Sequence, residues 1–206
     1  MRSTTSDAAR PDGLGRMPRA QRQAQLLTAA ASAFVRGGFD GTSMEDVAEA
    51  AGVTRLIVYR NFGSKEELYR AVLASVTERL ADEFADGASS TDVRPGGIPG
   101  VLLRVARERP DSFRLLWRHA VHEPLFAEQA HAFRDVAATV ADVLIHPYVN
   151  DRALRRWAAT TVVSHLYDAT CNWLDLGDPA RDDEFAHRMR AGLRALVGAW
   201  TAPRDV

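Results

Sequence analysis

Residues 42–68 read TSMEDVAEAAGVTRLIVYRNFGSKEEL, and this stretch decides the fold. Thr42-Ser43-Met44-Glu45 has the form of a capping box, in which a hydroxyl and a carboxylate three residues apart satisfy each other's free backbone N–H groups. Val47, Ala48 and Ala51 supply the buried side of a short helix. Gly52 follows where the chain must turn sharply, in a left-handed conformation that costs glycine little. Thr54 caps a second short helix with Val58 and Phe62 inward and Ile57 at the margin. Gly63 breaks it, and Ser64-Lys65-Glu66-Glu67 repeats the capping pattern at the start of a longer helix running to about Phe84. Two short helices joined by a tight turn form a helix-turn-helix, the arrangement that lays one helix into the DNA major groove.

Upstream, a helix begins near Arg19, with Leu26, Leu27, Ala30, Ala31 and Phe34 on one face, and ends at Gly37-Gly38. Residues 1–15 are polar and rich in Ser, Asp, Gly and Pro, and read as a disordered tail. Downstream, DGASSTDVRPGGIPG (86–100) reads as a linker. Helices are then predicted over about 98–108, 110–121, 124–145, 151–175 and 180–200, with Pro110, Pro124 and Pro179 near first turns and Gly177 after a helix end. No alternating Val/Ile run argues for a strand. The chain is therefore expected to be all-α. Residues 16–70 form an N-terminal three-helix helix-turn-helix domain and 71–206 a helical ligand-binding and dimerisation domain.

The chain has 206 residues, 46% of them hydrophobic, and a formal net charge of −1, which excludes a nonspecific polycation. Residues 1–70 carry ten Arg/Lys against eight Asp/Glu, so any DNA affinity rests on a local basic patch. The lone cysteine, Cys171, excludes an intramolecular disulfide and a cysteine-based zinc site. No N-terminal apolar segment or uninterrupted apolar run of ~18 residues is present, so a soluble, cytoplasmic protein without membrane contact is expected.

The helix from Arg55 to Phe62 is the candidate recognition helix. Its outward side offers Arg55, Leu56, Tyr59 and Arg60. Arginine can grip a guanine edge or a phosphate, and an apolar side chain can meet a thymine methyl. Thr42, Thr54, Tyr59 and Lys65 sit at helix ends, where hydroxyls, cations and free N–H groups suit phosphate oxygens. Arg16, Arg19 and Arg22 could reach flanking phosphates. The plainer alternatives are that Tyr59 joins Phe62 in the core and that the arginines are solvated surface. Leu56 and Ile57 resist that reading, because a short helix rarely exposes both without a partner.

From Gln25 to Leu73 the chain resembles the DNA-binding domain of the tetracycline-repressor-like (TetR) regulators. The resemblance rests on LLTAAASAFVRGGFDGTSMEDVAEAAGV, on Tyr59 and Phe62, and on GSKEELYRAV. It implies DNA contacts from Thr42, Thr54, Arg55, Tyr59, Arg60 and Lys65. It also implies an all-helical ligand-binding domain, a homodimer, and release from DNA on binding a small molecule. Leu56, Ile57 and Asn61 depart from the family's usual pattern.

Physical reasoning also favours a dimer. Specificity of ~4–10 kcal/mol over random DNA is beyond one short helix and usually requires two on neighbouring half-sites of an inverted repeat. The family resemblance places the seam on the last two helices. Its candidates are Leu154, Trp157, Val162, Leu166, Phe185, Met189, Leu193, Leu196, Val197 and Trp200, some of which must instead fill the protomer's core. Thr161, His165, Asp168 and Asn172 recur at helical spacing. With Phe113 and Trp117 they are candidate lining of a pocket for a partly apolar inducer; the plainer reading is hydrogen bonding between helices. Phe126, Phe133, His119 and His122 lie in the same region. A metal site at His165 and Asp168 completed by His119 or His122 has no spacing to support it. GxSxG, Walker A, GxGxxG and HExxH are absent, and Cys171 points away from His165 on a shared helix, so no enzyme and no cofactor are expected. A repressor released by its ligand is the leading expectation. A ligand-independent or activating regulator is the alternative, favoured by a filled core between the middle helices.

Overall fold

The computed structural model describes residues 18–89 and 97–201, and all regular structure among them is helical. The expected tail at 1–15, and Arg16, lie outside the described residues. Helix α1 spans Arg19–Gly37, α2 Met44–Ala50, α3 Arg55–Asn61 and α4 Lys65–Ser89. Then follow α5 (Gly97–Glu108), α6 (Pro110–Arg114), α7 (Ala127–Ile145), α8 (Arg152–Leu176) and α9 (Asp182–Thr201). Helices α4 and α5 thus extend into both ends of the stretch expected to be a linker. Residues 115–119 continue α6 as a π-helical turn and 120–122 close it as a 3-10 turn.

The N-terminal helices form because their apolar residues share faces. Leu26, Ala30, Ala31 and Phe34 of α1 are buried against Val47 and Ala48 of α2 and Val58 of α3. Gly38 ends α1 with φ of 69° while its N–H donates to the Phe34 carbonyl at 2.9 Å. Gly52 makes the turn between α2 and α3 with φ of 65°. Gln25 ties α1 to that turn by donating to the Ala51 carbonyl at 2.8 Å.

The capping box of α2 lies one residue later than its sequence suggests. Ser43 is the cap: its hydroxyl accepts from the Asp46 N–H at 3.1 Å, and the Asp46 carboxylate accepts from the Ser43 N–H at 2.7 Å. Thr42 is buried instead, its hydroxyl donating to the carbonyls of Gly38 (2.8 Å) and Ala33 (3.2 Å). Two carbonyls at the end of α1 outcompete the capping role. At α4 the Ser64 hydroxyl accepts from the Glu67 N–H at 3.1 Å, but the Glu67 carboxylate reaches back to Gly63.

Helix α4 serves two cores. Leu68, Tyr69, Val72, Leu73, Val76 and Leu80 are all buried, and one hydrophobic cluster runs through them from α1 to α8. At its centre the Tyr69 ring stacks on Phe126 at 4.0 Å between centroids and packs with Phe34 at 4.9 Å and Phe39 at 5.5 Å. Phe126 precedes α7, so an aromatic from the second half of the chain plugs the helix-turn-helix core. The distal helices are tied by ion pairs: Arg107 of α5 chelates Asp182 of α9 at 2.8 and 2.9 Å, and Arg155 of α8 meets Asp142 of α7 at 3.1 Å.

Backbone and hydroxyl bonds from Ser43 hold the Asp46 carboxyl below its ordinary value. Its contribution to stability is therefore complete above the ordinary carboxylate range and is lost as pH falls through the lowered value. Ser43→Ala is expected to cost ~1 kcal/mol in denaturant unfolding, and Glu45→Gln much less. Equal costs would return the box to Thr42 and Glu45. The buried Tyr69 hydroxyl has no hydrogen-bond partner among the described residues. Tyr69→Phe, which removes that unpaired group, is expected to leave the melting temperature unchanged or higher.

Candidate nucleic-acid interface and effector region

Helix α3 is held by its inner side and free on its outer side. Val58 and Phe62 are buried; Leu56 is 57% exposed and Tyr59 38% exposed. Tyr59 is thereby surface rather than core. Arg55 lies along it, its guanidinium 5.0 Å from the ring centre and 3.3 Å from the hydroxyl, and it also forms an ion pair with Glu45 of α2. These contacts engage the arginine on the protein's own surface. Arg60 is exposed and has no ion pair among the described residues. Thr54 caps α3 by position but makes no side-chain cap bond, so its hydroxyl stays outward at the helix start. Asn61 folds back to donate to the Ile57 carbonyl at 2.7 Å, which takes it out of the outward set.

Two of the expected DNA contacts do other work. Thr42 is turned inward, as described above, and presents no hydroxyl to a phosphate. The Lys65 ammonium donates to the Phe39 carbonyl at 2.8 Å and lies 4.2 Å from the Phe39 ring centre. It clamps the α1–α2 loop to the start of α4 and has only its remaining donors to offer a phosphate. The outward constellation is therefore Thr54, Arg55, Leu56, Tyr59 and Arg60, with Arg19 exposed on α1.

The expected ligand-lining face is corrected more deeply. His165, Asp168 and Asn172 do share a face of α8, with Thr161 half-exposed beside them, but it is the outward one. Asp168 accepts from the Trp117 indole N–H at 2.6 Å, and Asn172 accepts from Arg118 at 2.7 Å. They tie α8 to the π-helical turn, as the plainer reading had it. The inward face carries Val163, Tyr167, Thr170 and Cys171. Tyr167 was missed by the sequence reading; its ring stacks on Trp117 at 4.5 Å and Phe113 at 5.5 Å and meets Phe133 edge-on at 5.6 Å. The signal was present in the VVSHLYDATC run, whose apolar members fall opposite its polar ones. Arg134 of α7 completes the group, donating to the Trp117 carbonyl at 2.6 Å and lying 4.1 Å from its ring centre. The space between the middle helices is filled by aromatic rings.

Burial pushes the Cys171 thiol up to about 11, so it is neutral at physiological pH, and it is fully buried while His165 is exposed. Desolvation lowers His119 from its ordinary value. Among the described residues no three His, Cys, Asp or Glu side chains gather as a metal site, and no helix is long and apolar enough to cross a membrane.

An outward basic and apolar helix on a locked three-helix platform defines a helix-turn-helix transcriptional regulator. Residues 26–72 match the family of bacterial regulatory proteins known as the tetR family. The chain is 30% identical over 183 residues to the transcriptional activator FasR of Mycolicibacterium smegmatis, covering 82% of this chain and 79% of that protein. It is 35% identical over 196 residues to the transcriptional regulator RutR of Escherichia coli, covering 87% and 90%. A TetR-like regulator from Rhodococcus sp. RHA1 superposes with a TM-score of 0.67 at 22% identity, over 86% of this chain and all of that one. The chain belongs to the TetR family of DNA-binding transcriptional regulators.

Arg60→Ala is expected to weaken binding to a selected DNA site by ~10–100-fold and to relax base preference at one position. Leu56→Ala should alter preference at a thymine with a smaller loss of affinity. Competition binding against single-base variants of the site reads both; a uniform loss across all variants for Arg60→Ala would place that arginine on a phosphate instead.

Proposed function

We propose that this regulator acts in the cytoplasm as a homodimer that reads an inverted-repeat operator through two copies of α3. Residues 16–70 serve as the DNA-reading unit and 71–206 as the effector and dimerisation unit. The observation that carries this reading is the exposure of Leu56 between Arg55 and Arg60, on a helix whose other side is fixed by Val58 and Phe62. An exposed leucine between two arginines offers an apolar contact for a thymine methyl beside the charged ones. Thr54, Tyr59 and the remaining donors of Lys65 then serve the flanking phosphates.

The leading mechanism is repression relieved by a small, partly apolar molecule. Its site is the aromatic group of Phe113, Trp117 and Tyr167, not the outward polar face of α8. Such a ligand must part stacked rings, and Trp117 is tied through Asp168 to α8 and sits in the turn that leads to Phe126. By linkage, operator DNA must weaken ligand binding by the factor by which ligand weakens operator binding. The second reading is an activating or ligand-independent regulator. Two observations favour it: the rings already fill the space, and a 30% identical relative carries the name of an activator.

Selection of bound sequences from a random DNA pool at near-physiological salt tests the first claim. An inverted repeat is the expected outcome; recovery of no consensus would refute specific reading by the protein alone. For the effector site, Tyr167→Ala should change the response of operator binding to small apolar compounds while His165→Ala leaves it unaltered. If no compound from an aromatic and aliphatic panel shifts operator affinity in wild type, and a reporter promoter is stimulated instead, the second reading stands.

A further inference from the structure

Arg134 breaks a rule that the other inward arginines obey. Arg79, Arg107, Arg114, Arg118 and Arg155, all half-buried on α4 to α8, each meet a carboxylate. Arg109, also half-buried, has the Ser75 carbonyl at 3.0 Å and no enclosed donor left over. Arg134, half-buried on α7, has no ion pair among the described residues, and its Nε–H is shut off from solvent without an acceptor. Among those residues its guanidinium makes one hydrogen bond, from Nη2 to the Trp117 carbonyl at 2.6 Å, and otherwise lies against the Trp117 ring. An aromatic face attracts a cation but gives an N–H no lone pair in the plane of the guanidinium. A charge and an enclosed donor are thus left without an anion, a combination that folding alone disfavours.

The surroundings define the anion that fits. The Tyr167 ring lies 4.5 Å from Trp117, and Phe133, the residue before Arg134, meets Tyr167 edge-on at 5.6 Å. The guanidinium therefore stands beside the aromatic group proposed above as the effector site. Asp168 accepts from the indole N–H and forms no ion pair with Arg134. Arg118, the cation next along the π-helical turn, is taken up by Asp175 and Asn172. One guanidinium without a second free cation matches a single negative charge. Its planar fork suits a carboxylate, whose two oxygens can accept from two N–H groups at once. We propose that the effector of this regulator is a carboxylic acid bound as its anion, with the carboxylate on Arg134 and the apolar body among Trp117, Tyr167 and Phe133. The proposal rests on the effector site read above and names the chemistry of its ligand. The partial exposure of Arg134 gives the anion an approach from solvent before the rings part. A purely structural arginine, present to hold the Trp117 carbonyl, would bind no acid in preference to its neutral analogue.

The test uses the full chain and matched compounds: octanoate with octanamide, and naphthalenecarboxylate with its primary amide and with naphthyl phosphate. Isothermal titration calorimetry at neutral pH reads the affinity of each for wild type, Arg134→Gln and Arg134→Lys, and thermal unfolding by circular dichroism confirms that the variants fold. Each acid should bind wild type ~10–100-fold more tightly than its amide, because only the acid pairs the guanidinium. Arg134→Gln should abolish that preference and leave amide binding nearly unchanged. Arg134→Lys, which keeps the charge without the fork, should retain only part of it. The comparison of acid with amide on wild type decides the matter if neither variant folds. Acids that bind no better than their amides, or a preference that survives Arg134→Gln, overturn the proposal and leave the effector site intact. Naphthyl phosphate binding more tightly than naphthalenecarboxylate overturns the assignment to a carboxylate. If neither acids nor amides bind wild type, the effector reading falls and the proposal with it.

Discussion

The stacking of Tyr69 on Phe126 is the contact on which the rest of this structure depends. A three-helix platform of fewer than 60 residues has little core of its own. Here the core is completed by a ring delivered from the far side of α4, with Phe34 and Phe39 closing around it. The Arg70 guanidinium covers the outer face of Phe126 at 5.2 Å. The Phe39 N–H reaches the Glu123 carboxylate at 3.4 Å, so polar and aromatic contacts join the same two segments. The core beside the helix-turn-helix is therefore completed partly by residues from the second half of the chain.

Those later residues follow a stretch in which the helix departs from regular α geometry. Between Leu115 and His119 the backbone takes the wider π-helical turn, which misaligns its carbonyls with the usual donors. Arg134 supplies one substitute by donating to the Trp117 carbonyl. Asp168 fixes the Trp117 ring from α8, and Tyr167 stacks against it. From α8 to the α1–α2 loop there is thus a continuous series of packed groups: Asp168, Trp117, the turn at 115–122, Phe126, Tyr69 and Phe39. A tightly packed interior resists continuous deformation, so a change in the aromatic group is accommodated by movement of whole segments.

Charge is used locally rather than in bulk. The net charge of −1 leaves no general attraction for DNA, and several arginines are paired: Arg79 with Glu83 and Glu108, Arg114 and Arg118 with Asp175, Arg107 with Asp182. These pairs sit at the joints between helices, where they set geometry more than they add stability. Arg60 lies outward on α3 with no ion pair among the described residues, which leaves it available for the DNA contact proposed above.

The sequence by itself determined the helices and the helix-turn-helix that contains the proposed reading helix. Capping residues, glycine turns and apolar spacing are local signals, and they located the starts and ends of α1 to α3 and the start of α4 to within two residues, while α4 runs to Ser89 rather than to about Phe84. They also put Val58 and Phe62 inside and Leu56 outside. What it could not determine was which of two polar groups close in sequence takes a given acceptor. Thr42 lost its capping place to Ser43 because the carbonyls at the end of α1 lie above it, a contact visible only after folding. Lys65 was drawn to Phe39 for the same reason. The face of α8 that turns inward was likewise a tertiary decision: His165, Asp168 and Asn172 form a coherent stripe, but Tyr167 opposite them finds Phe113, Trp117 and Phe133. Periodicity shows that two faces differ; only the neighbouring helices decide which one is buried.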